Sequence, residues 1–543
     1  MESAATVPHK GMPSRRPTSW LFLLILGGGF LLRLRLAWLT FLNPDEALHY
    51  FLAHQASLKI AYEASLTTAH PPLMILFLHY WCLLGRSELF LRLPFVIAGT
   101  LFCWVMFLWT RKVAGSTAAC FALAMFLFAP SLISLSAEIR QYSFLLLFCA
   151  CSLYWLELAL EKGEKSVQSM IFSAAALYLA LLTHYSAMIF AAAVGLYGLL
   201  SLIRQKSHAR LTSSWILSQA GALAICAFLY QSQISKLRES GVPSEIASTW
   251  LKYSIFQPGQ NHLMPFAWHN SLRLFRYFFS QGTVGVIGFA LFVFAVVVLI
   301  LANKSYEPDL RKRELAALIA IPFLITLVLA IAGIYPFGGT RHDALLTIFA
   351  ISGISIGLDL LPLGGTNATT KFVKAILLAS ALLICNLHPS PSGPYMRPQN
   401  QRRELMHQAV NSLKSLPPES VLFTDAQGST VLDYYLCGDA MPLPFTPQKQ
   451  IQRRRCGQYY VLASMAEQTG FDRAAFPQLL TNAWQEVPDG SHLYLFQSGW
   501  IDDRQQDWLN ELRALGGTPN SFGPNILICP IQRTNTTPAN SSR

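Results

Sequence analysis

The chain has 543 residues, of which 53% are hydrophobic and only 13% are charged. Because soluble proteins carry about 25% charged residues, this composition excludes an ordinary soluble protein and indicates a chain that crosses a membrane many times. The net charge of +12 does not indicate nucleic acid as a partner. The Lys and Arg residues lie in short loops between apolar segments, where they orient the protein in the bilayer.

The first apolar run, Trp20–Leu42, follows basic residues and therefore resembles a secretory signal sequence. It is too long for one, contains Arg33 and Arg35, and has no small-residue cleavage site. We therefore predict a retained first membrane helix that follows a cytoplasmic segment at residues 1–17.

Apolar runs of about 18 to 22 residues then recur, which is the length that a helix needs to cross a bilayer. The distribution of basic loops gives them a consistent alternation across the membrane. The sequence predicts an all-α polytopic membrane bundle over residues 18–388, with eleven spans at residues 18–42, 91–110, 117–137, 142–160, 167–184, 185–203, 211–231, 283–302, 315–335, 343–362 and 373–388.

The segment Pro71–Leu84 is apolar but has only about fourteen residues, a length typical of interfacial or re-entrant helices. Placing it along the outer leaflet puts Asp45 and the basic loop at Arg111 on opposite sides of the membrane, as their sequence context requires. Arg92 then lies outside. In the alternative, Pro71–Leu84 is a tilted span and Arg92 is cytoplasmic.

Beyond the last span the composition becomes polar, and residues 389–530 are predicted to form a small extracytoplasmic α/β domain, followed by a polar tail at residues 531–543. Strand-like stretches begin at Val421, Tyr459 and Leu493, and Asp502–Leu515 has the pattern of a helix. Cys437 and Cys456 lie in this domain, where an oxidising compartment would allow a disulfide and leave Cys529 unpaired.

Two adjacent carboxylates, Asp45 and Glu46, follow the first span directly in the motif Asn43-Pro44-Asp45-Glu46. Acidic side chains at the edge of the hydrocarbon layer are first interpreted as functional. Their position there gives no stability unless they bind a cation, a sugar hydroxyl or a proton. The alternative is a solvated loop that happens to follow a span.

Further polar residues recur in the other loops that the charge pattern places outside. Each has a plain alternative: Arg92 as a snorkelling anchor, His184 as a helix-end histidine, or Tyr335 as an interfacial aromatic. As a set they indicate one site; its candidate residues are Asp45, Glu46, His70, Arg92, Glu138, Arg140, Tyr142, His184, Tyr335, Arg341 and His342.

This set suits group transfer from a lipid-linked phosphate. The planar guanidinium group of arginine can donate two hydrogen bonds to phosphate oxygens. A carboxylate can orient or deprotonate an attacking hydroxyl. Fixed positive groups stabilise the charge that grows on a departing phosphate.

The order and spacing of these motifs resemble the protein mannosyltransferase and aminoarabinose transferase group of membrane glycosyltransferases, which have the GT-C fold. The resemblance covers roughly residues 20–360 and is carried by Asn43-Pro44-Asp45-Glu46, His70-Pro71-Pro72-Leu73, Gly85-Arg86-Ser87-Glu88, Arg92-Leu93-Pro94, the stretch from Ser136 to Tyr142, His184-Tyr185, Tyr335-Pro336 and Arg341-His342.

The resemblance implies transfer of a sugar, a hexose or a pentose, from a polyprenyl-phosphate carrier to a lipid, glycan or protein acceptor on the outer face of the inner (plasma) membrane. It also implies that Asp45 is the principal acidic residue, with Glu46 beside it. Arg92 and Glu138 match the family's arginine and its second-loop acid. The chain departs from the aminoarabinose enzymes at Ala69-His70, where they have Glu-Lys, so we expect a different donor sugar.

The predicted mechanism is a single displacement that inverts the anomeric carbon. Asp45 orients or deprotonates the acceptor hydroxyl, with Glu46 or Glu138 positioning it. Substrate-binding residues are predicted at His70, Arg92, Arg140, Tyr142, His184, Tyr335, Arg341 and His342. In one alternative, His70, His184 and an acidic residue hold a divalent metal, although their spacing has no metal signature.

Two other classes of protein fit part of the sequence. A transporter or flippase also needs an intramembrane polar cavity, but the chain shows no obvious internal repeat and its polar residues gather at one mouth. A structural anchor for the C-terminal domain would leave the acidic and arginine-containing loops without a role.

Overall fold

The computed structural model describes residues 19–161, 166–205, 209–239, 251–304, 307–308, 310–362, 367–389, 401–438, 451–464, 471, 473–488, 490–499 and 505–532. The predicted cytoplasmic segment at residues 1–17 and nearly all of the predicted polar tail lie outside the described residues.

Most of the chain up to residue 388 forms a helical bundle, as predicted. Its helices are α1 (Ser19–Leu39), α2 (Pro44–Ala53), α3 (Leu58–Ser65), α4 (Leu73–Leu84), α5 (Glu88–Ala114), α6 (Ser116–Phe128), α7 (Pro130–Ser136), α8 (Tyr142–Leu160), α9 (Ser166–Leu181), α10 (Ala187–Gln205), α11 (Ala209–Leu229), α12 (Ser235–Glu239), α13 (Leu263–Phe279), α14 (Gly282–Leu301), α15 (Leu310–Ile331), α16 (Leu346–Leu360) and α17 (Ala368–Leu387). A two-stranded ribbon, β1 (Asn303–Lys304) and β2 (Glu307–Pro308), joins α14 to α15.

Nine helices in the described part of the chain are long and apolar enough to cross a membrane, or ten if the bent pair α6 and α7 counts as one span. The eleventh predicted span, at residues 167–184, corresponds to α9, whose 16 residues fall below this length. Helix α9 packs along α8 and returns the chain to His184, whose ring contacts that of Tyr142 at the start of α8. It therefore crosses the bundle in the direction opposite to α8, as predicted.

The short helix α4 has twelve residues, about 18 Å at 1.5 Å per residue, against a hydrocarbon thickness of about 30 Å. It is too short to span, in agreement with the interfacial placement predicted from the sequence. Together with α2 and α3 it makes the first loop a compact helical element. The backbone N–H of Leu73, at the start of α4, donates to the carbonyl of Leu182 at 3.1 Å, which attaches this element to the bundle.

A 57° bend separates α6 from α7. Pro130 lacks a backbone donor, so the last carbonyls of α6 lose helical partners at this break. The buried guanidinium of Arg33, on α1, supplies them: it donates to the carbonyls of Leu127 at 2.8 Å and Phe126 at 2.9 Å. A charged residue inside the first span thus completes the backbone hydrogen bonding of a neighbouring one.

The C-terminal domain contains the predicted α/β elements. Its six-stranded sheet has the order β4-β5-β3-β6-β8-β7, in which the central strand β3 runs parallel to β5 and β6. The elements are α18 (Arg403–Lys414), β3 (Val421–Asp425), α19 (Ala426–Leu432), β4 (Ile451–Cys456), β5 (Tyr459–Ser464), α20 (Phe476–Gln485), β6 (Leu493–Ser498), α21 (Gln505–Ala514), β7 (Asn520–Ser521) and β8 (Ile526–Ile531). The predicted disulfide between Cys437 and Cys456 is present, and Cys529 is a buried free thiol.

This domain packs on the segment between α1 and α2. Phe41 lies in an apolar cluster with α18 and the sheet, and its backbone N–H donates to the carbonyl of Gln401 at 3.0 Å. The hydroxyl of Tyr435 accepts from the backbone N–H of Leu42 at 2.9 Å and donates to the carboxylate of Glu88, which also pairs with Arg403. The domain therefore holds the stretch of chain that leads into α2.

We expect replacement of Arg33 by methionine to lower the thermal unfolding temperature of the purified protein. The change leaves two buried carbonyls without donors, each costing about 1 to 3 kcal/mol. Arg35→Met is the matched control because Arg35 is exposed and should change the unfolding temperature little. Equal shifts for the two variants would contradict the proposed role of Arg33.

Candidate active site

The first turn of helix α2 carries the two adjacent acids of the candidate site, Asp45 and Glu46, and directs them to different sides. Asn43 is its N-cap: the Asn43 side chain accepts from the backbone N–H of Glu46 at 3.1 Å, and the Asn43 N–H donates to the Glu46 carboxylate at 3.0 Å. Pro44 occupies the first helical position, where its missing N–H has no consequence. This capping box turns Glu46 inward and leaves Asp45 partly exposed.

Glu46 and Arg92 form a bidentate ion pair whose side chains are both completely buried. The Nε of Arg92 donates to Oε1 of Glu46 at 2.7 Å, and Nη2 donates to Oε2 at 2.6 Å. The remaining donors of this guanidinium go to the carbonyls of Ala37, Thr40 and Phe41 at 2.7 to 2.8 Å. Arg92 thus fastens α2 to the end of α1.

Asp45 meets two other arginines, which come from distant parts of the chain. Its Oδ2 lies 2.9 Å from Nη1 of Arg140 and 2.8 Å from Nη1 of Arg341. The Asp45 side chain is 22% exposed, against 5% for Arg140 and 14% for Arg341. Burial opposes ionisation, but the two guanidinium groups outweigh it and hold the pKa of Asp45 well below its ordinary value. Asp45 is therefore a permanent anion and a weak proton acceptor.

Arg341 reaches this position through a tight loop before a 3₁₀ turn, Arg341–Leu345. Gly338 and Gly339 have φ values of 134° and 79°. A Cβ on either glycine would come within 2.6 Å of an atom of Asn270 or Arg273 on α13. Asp343 accepts from the backbone N–H groups of Gly338 at 3.3 Å and Thr340 at 3.1 Å, which closes the loop.

Glu138 lies in the loop between α7 and α8, beside Arg140. Its Oε1 accepts a hydrogen bond from Ser134 at 3.3 Å, while Oε2 is buried without a hydrogen-bond partner among the described residues. Burial, reinforced by the negative charge of Glu46, raises the pKa of Glu138 to about 7. In contrast to Asp45, this carboxyl group exchanges its proton near neutral pH.

Imidazole rings cover the other side of the site. The rings of His70 and His184 stack with centroids 5.4 Å apart, and His49, one turn after Asp45 on α2, lies 6.2 Å from His70. Nδ1 of His184 accepts from the backbone N–H of Ser186 at 3.1 Å. Burial and the nearby Arg140 lower the pKa of His184 and of His49 to about 3, so these rings are neutral at pH 7.

The remaining predicted residues complete the same cluster. The ring of Tyr142 lies 5.7 Å from the guanidinium carbon of Arg140 and 5.4 Å from the ring of His184. The hydroxyl of Tyr335 donates to the backbone carbonyl of His342 at 2.7 Å. The predicted residues are thus brought together, with Arg92 fully buried in its ion pair with Glu46.

Sequence reasoning did not select His49 or Asp343, although both carry a recognisable signal. His49 is four residues after Asp45 and therefore on the same face of α2, and Asp343 follows the selected Arg341-His342 pair directly. As to the metal alternative, no group of three or more His, Cys, Asp or Glu side chains in the described part of the chain is arranged to hold a metal ion.

Residues 69–230 match the family described as dolichyl-phosphate-mannose-protein mannosyltransferase. No curated protein matches the chain in sequence. The fold matches crystal structures of ArnT from Cupriavidus metallidurans. The undecaprenyl phosphate complex aligns with a TM-score of 0.53 at 14% identity, over 95% of this chain and 98% of that one. The apo structure aligns with 0.52 at 14%, over 94% and 98%.

These matches confirm the predicted resemblance to the GT-C membrane glycosyltransferases, in fold over nearly the whole chain and in sequence over residues 69–230. The class of protein is therefore a multi-pass membrane protein with the GT-C fold and a small C-terminal sheet domain. The transporter alternative gains no support from them.

We predict that Glu46→Gln will destabilise the protein much more than Asp45→Asn, because Glu46 has a structural role and Asp45 a chemical one. Glu46→Gln leaves the buried charge of Arg92 uncompensated, which costs about 3 to 5 kcal/mol, and should lower the thermal unfolding temperature strongly. Asp45→Asn, at a partly exposed position, should lower it much less. A stability loss from Asp45→Asn equal to that from Glu46→Gln would contradict this division.

Proposed function

We propose that this protein transfers a sugar from a polyprenyl-phosphate-linked donor to an acceptor hydroxyl at the extracytoplasmic face of the inner membrane. The observation that carries the proposal is the convergence of Arg140 and Arg341 on Asp45, because it concentrates positive charge around a partly exposed carboxylate at the end of a membrane bundle. The family match and the shared fold point to the same reaction class.

In this proposal Arg140 and Arg341 hold the carrier phosphate. Guanidinium groups suit phosphate oxygens, and the negative charge of the departing phosphate grows next to them as the glycosidic bond breaks. Asp45 orients the guanidinium groups of Arg140 and Arg341 and offsets the repulsion between their positive charges before the donor binds. Arg92 and Glu46 act by holding α2 in place, since the described contacts already occupy the Arg92 guanidinium.

Glu138 takes the proton of the acceptor hydroxyl. A general base works best when its pKa is close to the working pH, and Glu138 meets this condition whereas Asp45 does not. The unpartnered Oε2 of Glu138 is available for the acceptor. Attack and departure in one displacement invert the anomeric centre, and the transferred group is a hexosyl or pentosyl residue.

Arg341→Lys should lower kcat/KM for sugar transfer at least about a hundredfold, since lysine lacks the fork that spans Asp45 and phosphate. Transfer is measured in native membranes containing the full chain, with a labelled polyprenyl-phosphate sugar as donor. Arg455→Lys, on the exposed edge strand β4, is the control and should retain activity. Loss of carrier movement with intact sugar transfer would instead support a transporter.

The transfer rate should rise with pH up to about pH 7 and then level off, because Glu138 must lose its proton before it can accept another. Glu138→Gln should remove this acidic limb and lower the plateau about 10² to 10⁴-fold. The comparison is the pH profile of kcat/KM in membranes, with the exposed carboxylate variant Glu404→Gln as control. An acidic limb that survives in Glu138→Gln would assign the proton transfer to another group.

A further inference from the structure

A polar cavity lies at the end of the bundle opposite the candidate active site. Helix α8 begins in that site at Tyr142 and has 19 residues, which extend about 28 Å at 1.5 Å per residue. The cavity lies where α8 and α10 end and α15 begins, and its volume is about 440 Å³, a size typical of small-ligand sites. The polar residues that line it include Glu157, Glu161, Tyr197, Ser201, Arg204 and Arg311.

Two buried carboxylates join the helices around this cavity. Glu157 accepts from Nη2 of Arg311 at 2.7 Å and from the hydroxyl of Tyr197 at 2.8 Å. Glu314, on α15, accepts from Nε of Arg204 at 2.6 Å and from a serine hydroxyl on α10 at 3.0 Å. All four oxygens of the two carboxylates therefore have donors, and a ligand has no need to supply one.

The two arginines, in contrast, keep donors that no protein group uses. Within the described part of the chain, the guanidinium of Arg204 donates only through Nε and that of Arg311 only through Nη2. Their side chains are 28% and 52% exposed. Because guanidinium groups bind phosphate oxygens through several N–H groups at once, these donors suit a phosphate group in the cavity.

Glu161 adds an accepting group at the mouth of the cavity. Its Oε1 lies 2.5 Å from Nζ of Lys112, its side chain is 53% exposed, and its Oε2 has no partner among the residues that the structure describes. The acids Glu157, Glu161 and Glu314 each pair with one basic residue, so these ion pairs carry no net charge. A ligand that contains both a phosphate and an ammonium group matches the open donors and the open acceptor without adding charge.

The surface of α10 beside the cavity suits acyl chains. The cavity-lining residues of α10 recur at helical spacing and therefore form one face of the helix. The residues one position earlier form a neighbouring apolar stripe whose side chains are exposed by 40%, 38% and 66%: Leu196, Leu200 and Ile203. A lipid with its headgroup in the cavity would cover this stripe with its chains, whereas a soluble ligand would leave it uncovered.

We propose that this cavity binds a phospholipid with a phosphoethanolamine headgroup, from the leaflet on the far side of the membrane from the candidate active site. The phosphodiester accepts from Arg204 and Arg311, and the primary ammonium donates to Glu161. A trimethylammonium headgroup has no N–H to donate, and an anionic glycerol headgroup has no cation for Glu161. This inference is independent of the proposed sugar transfer.

The test measures lipid binding to the purified full chain in detergent by native mass spectrometry. Phosphatidylethanolamine, phosphatidylcholine and phosphatidylglycerol of the same chain length are added at equal concentration. We expect one molecule of phosphatidylethanolamine to bind about tenfold more tightly than either competitor, which corresponds to about 1.4 kcal/mol. Equal binding of the three lipids, or preference for phosphatidylglycerol, would overturn the proposal.

Free phosphoethanolamine distinguishes a lipid from a soluble ligand of the same chemistry. It lacks the acyl chains that would cover the apolar stripe on α10, so displacing the bound lipid should take at least about a hundredfold higher concentration than displacement by phosphatidylethanolamine itself. Displacement at equal concentration would overturn the assignment to a lipid.

Two variants locate the bound lipid. Glu161→Gln should abolish the preference for phosphatidylethanolamine over phosphatidylcholine. Arg311→Lys keeps a cation beside Glu157 but removes the guanidinium donors, and should weaken the binding of both lipids about tenfold. Thermal unfolding verifies that each variant is folded, and the comparison of lipids on the unmodified chain needs no variant.

The matched controls are Arg111→Lys, at an exposed position at the same end of the bundle but outside the cavity lining, and the exposed Glu404→Gln. Both should bind the three lipids as the unmodified chain does. A preference that survives in Glu161→Gln, or that Arg111→Lys reduces as much as Arg311→Lys does, would place the bound lipid elsewhere and overturn the proposal.

Discussion

The buried ion pair between Glu46 and Arg92 is the interaction on which the site depends. It is fully desolvated, and it persists because every donor of the guanidinium and both oxygens of the carboxylate have partners. It joins the end of α1, the start of α2 and the second turn of α5. The direction in which α2 leaves the bundle, and with it the position of Asp45, follows from this contact.

Two neighbouring acids therefore have different tasks, although the sequence presents them as a pair. Glu46 points at the protein interior, whereas Asp45 points at two arginines, which keep it ionised. A third acid, Glu138, is buried, and burial raises its pKa to about 7 despite the nearby Arg341 and Arg140. Different surroundings thus give three carboxyl groups different properties, and the proposed function assigns them three roles: anchoring, orienting cations and exchanging a proton.

The C-terminal domain contributes to the same arrangement from outside the bundle. Its Tyr435 contacts both the backbone at Leu42 and the carboxylate of Glu88, and the disulfide of Cys437 follows two residues later. Phe41, the residue before Leu42, is part of the domain's own apolar cluster. The stretch that leads into Asp45 is therefore held on one side by Arg92 and on the other by a folded domain.

The sequence by itself determined the membrane bundle, the α/β domain, the disulfide and the candidate residues, because span-length hydropathy and the order of polar motifs are local properties of the chain. It did not determine that Arg92 faces Glu46 while Arg140 and Arg341 face Asp45. Nor did it show that Arg33 completes the carbonyls at the bend after α6. Those pairings join residues far apart in the chain, and only tertiary packing decides which charges meet.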